Sequence, residues 1–288
     1  FGTLDSGDET STGNAPCSVV GVSITMRKLL LVSVALILGM FIGYAAHFLS
    51  GQTPLIYDQN WHVHDINRPQ PKVVIPAPSD QPGAPPSDAV ILFDGSNLDQ
   101  FDNKDLIIED GAMIMAMGDQ QTIQSFGDVQ LHVEWMSPHP SDNSGQNKGN
   151  SGIIFMGLYE VQVLDSYQSD TYADGQAGAV YGVQPPMVNA MRPSNEWQSY
   201  DLYFRAPRFA EDGSLEAPAH VTVVHNGVLV QFNQIYNGAT QWRKNGVYEP
   251  HAAELPLKLQ WHNSPVKYRN IWIRPLDRDK DFDQTPVH

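Results

Sequence analysis

Between residues 89 and 276 the chain is a succession of short segments in which apolar and polar residues alternate, with six turn dipeptides among them. No amphipathic helical stripe interrupts them, and this pattern limits the fold more than any other feature. Gln130–Met136 alternates Leu131, Val133 and Trp135 against Gln130, His132 and Glu134. Tyr159–Asp165 alternates Tyr159, Val161 and Val163 against Glu160 and Gln162. A period of two places one set of side chains on each face of a strand, so each segment reads as a half-buried strand. Similar runs occupy Val90–Phe93, Leu106–Glu109, Met113–Met117, Gly152–Met156, Ala179–Val183, Gln198–Arg205, His220–His225, Val228–Phe232, Leu257–Gln260 and Val266–Arg274. Asp-Gly or Asn-Gly pairs at 94, 110, 174, 212, 226 and 237 mark turns, and His225-Asn226-Gly227-Val228 has the form of a tight hairpin. A dozen strands without long helices must bury one face of each sheet against another, which predicts an all-β sandwich of two sheets. The absence of an internal repeat argues against a propeller.

Composition adds exclusions. Lys and Arg number 17 against 32 Asp and Glu, a net charge of −15, and no basic cluster is large enough to follow a phosphate backbone. Nucleic acid is therefore not an expected partner. The single cysteine, Cys17, precedes the sandwich region, so that region can contain no disulfide, cysteine nucleophile or zinc–thiolate site.

The N-terminal part is organised differently. Residues 1–28 are polar and aperiodic and end in Met26-Arg27-Lys28, which is itself a plausible start. Residues 29–49 form an apolar run of 21, long enough to cross a bilayer. Basic residues before it and acidic sequence after it predict a membrane anchor with the following domain on the extracytoplasmic side, periplasmic or at the cell surface. The weak small-x-small site Gly43-Tyr44-Ala45 keeps secretion after signal cleavage as the alternative. Residues 50–88 hold seven prolines between Pro69 and Pro86 and read as a semi-rigid linker. Within it, Trp61-His62-Val63-His64-Asp65 has a His-x-His spacing, read as a solvated or interfacial patch. Residues 277–288 read as an acidic tail, leaving 89–276 as the folded domain.

In order along that domain, Ile91–Leu98, Leu131–Trp135, Gly149–Ile153, Tyr159–Asp165, Gly178–Gly182, Glu196–Tyr200, His225–Val228 and Pro265–Ile271 resemble the successive signatures of the 3-keto-disaccharide hydrolase family. The resemblance covers about residues 88–276. It implies a concanavalin-like jelly roll, the lectin and glucanase type of sandwich, with a sugar-facing groove. Where the family pattern has Asp before and Gly after a histidine, this chain has Trp261 and Asn263 around His262.

The implied substrate is an oxidised glycoside. A ketone at carbon 3 acidifies the hydrogen at carbon 2, so a positioned base can form an enolate that expels the group at carbon 1, and water then adds. Such chemistry needs a base, a group that holds the enolate and an acid for the leaving oxygen. The expected catalytic residues are Glu134 or Glu160 as base, with His262 as acid or metal ligand. Asn150, Gln162 and Arg269 are expected to hold hydroxyls or the keto oxygen, and Trp197 or Tyr181 to form an apolar platform. Glu134, Glu160 and His262 together offer oxygen and imidazole ligands for a divalent metal ion as cofactor. Two other readings use the same sandwich: a non-catalytic carbohydrate-binding module and a surface-displayed interaction domain.

Overall fold

The computed structural model describes residues 53–56, 61–70, 72–73, 85–138 and 144–276. The 29–49 run, the 1–28 tail, the 277–288 tail and much of the 50–88 linker lie outside the described residues. Among the described residues no helix is long and apolar enough to cross a membrane.

Twelve strands form two sheets: β1 Val90–Phe93, β2 Ile107–Glu109, β3 Ala112–Ile114, β4 Gln120–Phe126, β5 Val129–Met136, β6 Ser151–Phe155, β7 Tyr159–Val163, β8 Gln198–Arg205, β9 His220–His225, β10 Val228–Ile235, β11 Leu255–Trp261 and β12 Lys267–Pro275. The larger sheet has the order β10-β9-β8-β5-β12-β3-β2, with β1 also paired to β12; the smaller is β4-β11-β6-β7. Every pairing within the two sheets is antiparallel. Tight turns join neighbours where the sequence supplies residues that tolerate left-handed backbone. Asp110 and Gly111 (φ 52° and 74°) link β2 to β3, and Asn226 and Gly227 (φ 53° and 80°) link β9 to β10.

The sheets pack face to face around one core, an arrangement consistent with a jelly roll. Leu131, Val133, Trp135, Tyr200, Leu202 and Phe204 of the larger sheet meet Ile153, Phe155, Tyr159, Val161, Val163 and Leu259 of the smaller. Phe155 and Phe204 stack across the interface with ring centres 4.4 Å apart. Several polar groups caught inside are paired: the Tyr200 hydroxyl donates to the Gln162 carbonyl at 2.9 Å, and Ser151 and Tyr268 share a hydroxyl hydrogen bond of 2.7 Å.

Four expectations change. Strand β4 is absent from the sequence reading because Gln120-Gln-Thr-Ile-Gln-Ser-Phe126 looks polar, yet Gln120 and Thr122 are buried. Ala179–Val183 is not a strand. It is a turn along the β7 edge, bridged to β7 at Val180–Val161, and Gly182 there has φ 72°. Ala179 and Val180 are buried there because they cover the sheet edge. The polar rows of β5 and β7 are also not solvated, since His132, Glu134, Glu160 and Gln162 are all buried.

The fourth change concerns the linker, part of which belongs to the folded unit. Val63 is fully buried and Ile56 nearly so. The His64 backbone N–H donates to Asp174 Oδ2 at 3.1 Å, and Lys72–Val73 pairs in parallel with Val188–Asn189. The run of prolines that marks a spacer begins at Pro69, after the apolar anchors Ile56 and Val63, and so says nothing about them.

Candidate active site

Registration of three strands of the smaller sheet builds the site. Glu160 on β7 faces Ile154 on β6, and Ile154 faces Lys258 on β11. One row on, Gln162 faces Gly152, and Gly152 faces Gln260. Their neighbours Val161, Ile153 and Leu259 point into the core, so strand alternation sends this second set outward. Above the outward rows lies a cavity of about 460 Å³ lined by Asn150, Ile154, Gly157, Leu158, Glu160, Gln162, Tyr181, Thr240, Trp242, Lys258, Gln260 and His262.

Glu160 is the electrostatic centre. Its side chain lies across Gly152, where an added Cβ would sit 2.6 Å from Glu160 Oε1, so any larger residue would displace the carboxyl. Burial pushes its pKa up to about 8; Lys258 opposes this and Asp119 adds to it. Lys258 Nζ is 3.3 Å from Asp119 Oδ2. With its amide nitrogen turned toward the sheet, Gln162 donates to Glu160 Oε1 at 3.0 Å and to the Ser151 carbonyl at 3.2 Å. Two loops pin the strand from its open edge: the Glu160 N–H donates to Thr240 Oγ1 at 3.1 Å, and the Tyr181 N–H to the Glu160 carbonyl at 3.4 Å.

Tyr181 continues into a buried polar wall. Its hydroxyl is 3.0 Å from that of Tyr172, and the His64 ring packs against both tyrosines at 4.9 and 4.0 Å. His64 Nδ1 lies 3.2 Å from Asp174 Oδ1. Burial raises the Tyr181 pKa far above the ordinary phenol value, so its hydroxyl keeps its proton through the physiological range.

The opposite face of the sandwich carries a second cluster. Arg269 Nε donates to Glu134 Oε2 at 2.7 Å and Asn270 Nδ2 to Glu134 Oε1 at 2.9 Å. Consecutive residues of a regular strand point to opposite faces. Here a bulge between Arg269 and Trp272, with Asn270 at φ 46°, turns both toward one carboxylate. His132 bridges Asp201 at 2.6 Å and Glu134 at 3.5 Å and stacks on Trp272. Burial alone would lower the His132 pKa, but Asp201 and Glu134 carry it up to about 9. Burial likewise pushes Glu134 up, but hydrogen bonds from His132, Asn270 and Arg269 outweigh it and hold the carboxyl below its ordinary value. The Arg269 guanidinium lies 4.0 Å over the Trp197 ring.

The structure therefore divides the residues nominated from sequence. Glu160, His262, Asn150, Gln162 and Tyr181 line one cavity. Glu134, Arg269 and Trp197 form the other cluster, because Glu134 shares the outward parity of a strand in the other sheet. The Glu134, Glu160 and His262 metal set is not brought together, and no group of three or more His, Cys, Asp or Glu placed to hold a metal ion occurs among the described residues. Sequence reasoning missed Lys258, Gln260, Thr240 and Trp242. The polar positions of Leu257-Lys-Leu-Gln260 carried a signal for the first two, and a lone tryptophan in a polar loop for the last.

Fold and site define the class: a two-sheet β sandwich with a sugar-sized cavity, floored by a desolvated carboxyl, on the outer face of its smaller sheet. Residues 88–274 match the 3-keto-alpha-glucoside-1,2-lyase-like domain, and the chain belongs to that family. A protein from Parabacteroides distasonis, provisionally assigned as a glycosyl hydrolase, has a crystal structure similar to this chain at 39% identity, covering 77% of this chain and 100% of its own, with a TM-score of 0.66. A second structure from the same organism, with the same provisional assignment, is 21% identical over 66% of this chain and 94% of its own, with a TM-score of 0.46. No curated protein matches the chain.

Proposed function

We propose that this domain cleaves 3-keto-glycosides by elimination, with Glu160 as the base. The observation that carries the reading is a buried carboxyl with its pKa near 8, facing a polar cavity beside Lys258. A base is most effective when its pKa lies near the working pH, and an ordinary carboxylate is too weak for carbon acids. Glu160 takes the hydrogen at carbon 2, and the electron pair moves onto the keto oxygen. The Lys258 ammonium and His262 flank that developing charge. The enolate collapses, the bond from carbon 1 to its oxygen breaks, and Tyr181 gives the leaving oxygen its proton. Water then adds to carbon 1 of the enone, returning a proton to carbon 2. Glu134 has no part in these steps.

Matched 3-keto and unoxidised glucosides test the reading. Only the oxidised form should be cleaved, and reaction in deuterated water should place deuterium at carbon 2 of the hydrated sugar. Equal cleavage of both forms would overturn it, and binding without cleavage would favour the carbohydrate-binding module. We further propose that residues 29–49 hold the domain outside the membrane. External protease should then release it from intact cells, whereas protection of the domain would contradict this.

A further inference from the structure

The two halves of the cavity differ in chemistry, and the Glu160, Ile154 and Lys258 row divides them. On one side stand Gln162 and Gln260 in the next row, then Asn150 and His262 beyond it. On the other side stand Gly157, Leu158 and Trp242, with Thr240. The Thr240 oxygen already accepts from the Glu160 N–H. Trp242 is 68% exposed, although a tryptophan is among the costliest side chains to leave in water, and the Arg243 guanidinium lies 5.4 Å from the centre of its ring.

In a pyranose, carbon 2 lies between the keto carbon 3 and carbon 1, which bears the leaving group. If carbon 2 stands over Glu160, the keto side and the leaving group must extend in opposite directions along the cavity. The amide and imidazole half suits the hydroxyl-rich oxidised ring. The leaving group then falls against Leu158 and Trp242. We propose that this leaving group is planar and hydroxyl-poor, an aryl-type aglycone stacked on Trp242. A second sugar ring would bring several hydroxyls to a wall whose side-chain donors are the Thr240 hydroxyl and the Trp242 indole N–H, and each hydroxyl buried there without a partner weakens binding. The inference rests on the elimination reading for the orientation of the ring.

Phenyl α-glucoside and maltose share the same α-glucosyl unit and differ in the aglycone, so calorimetry on the full chain isolates this half of the cavity. The aryl glucoside should bind about 10-fold tighter, and W242A should bring the two within about 3-fold by weakening only the aryl ligand. With the 3-keto forms, W242A should raise KM for the aryl substrate and leave kcat unchanged, while W242F should restore most of the difference. Equal or tighter maltose binding, equal weakening of both ligands by W242A, or no detectable aryl binding would each overturn the proposal. Failure of the elimination reading looks different: the aryl preference in calorimetry persists while neither 3-keto compound is turned over.

Discussion

Glu134 and Glu160 are both buried carboxyls projecting from the outer face of a sheet, yet their surroundings drive them in opposite directions. Glu134 is 4% exposed and meets Arg269, Asn270 and His132, so its charge is fully answered. Glu160 is 6% exposed, has the amide of Gln162 beside it, and has a lysine that is itself paired with Asp119. Burial pushes both carboxyls up, but only at Glu134 do hydrogen bonds outweigh it, which leaves one carboxyl below its ordinary pKa and one raised to about 8. The difference teaches that burial raises a carboxyl unless hydrogen bonds and charges outweigh it, so the partners of a buried acid decide whether that rise survives.

Substitution should separate the two faces most sharply. Glu160→Gln should reduce turnover of a 3-keto-glycoside by about 10²–10⁴-fold, the range for loss of a general base. Glu134→Gln should leave turnover within a few-fold, and steady-state kinetics with circular dichroism as a folding control would show both results. A comparable loss in both variants would break the comparison. In denaturant titrations the order should reverse. Glu134→Ala strands a guanidinium and should cost about 2 kcal/mol, below the ~3–5 of a fully buried pair because Arg269 keeps contact with solvent. No loss would mean that the cluster is ornamental.

The pH dependence of stability should also differ in sign. A carboxyl whose folded pKa exceeds its unfolded value binds its proton more tightly when folded. Glu160 therefore contributes stability that is complete below about pH 4.5 and is lost as the pH rises through about 8. Glu160→Gln should flatten that decline, which can be worth on the order of a few kcal/mol. The Glu134 contribution is present above its unfolded value and is lost as the pH falls through its lowered folded value. His132, raised to about 9, adds stability that is full below about pH 6.5 and is lost as the pH passes 9. Melting curves of wild type and both variants from pH 3 to 10 would resolve these limbs. The smallest effect expected is from Val63→Ala, about 1 kcal/mol for a small cavity under the strap that carries His64; an unchanged melting temperature would remove that strap from the folded unit.

Much of the sandwich was legible because alternation reports local geometry. Leu131, Val133 and Trp135, and likewise Tyr159, Val161 and Val163, face the core as their spacing requires. Strand β4 was not, because its buried Gln120 and Thr122 read as polar without their partners. Glu160, Gln162, Asn150 and Tyr181 stand in family-like segments and His262 in one that departs from the pattern, but they were nominated together with Glu134, Arg269 and Trp197, because alternation made Glu134 look equivalent to Glu160. Parity within a strand cannot say which of two sheets it belongs to, and that alone sends the two glutamates to opposite faces. Lys258 enters the site only through pairing of residues about a hundred positions apart, Ile154 and Lys258, which no local pattern encodes. His64 was grouped with the linker because a proline-rich run starts five residues after it, at Pro69.

The contrast between the two carboxyls can be read directly by carbon-detected NMR titration of the glutamate side chains, with Glu134→Gln and Glu160→Gln supplying the assignments. The account predicts one carboxyl titrating near pH 8 that disappears in Glu160→Gln, and one titrating below the ordinary glutamate range that disappears in Glu134→Gln. Both groups titrating together near their ordinary value, or the high pKa belonging to Glu134, would contradict it.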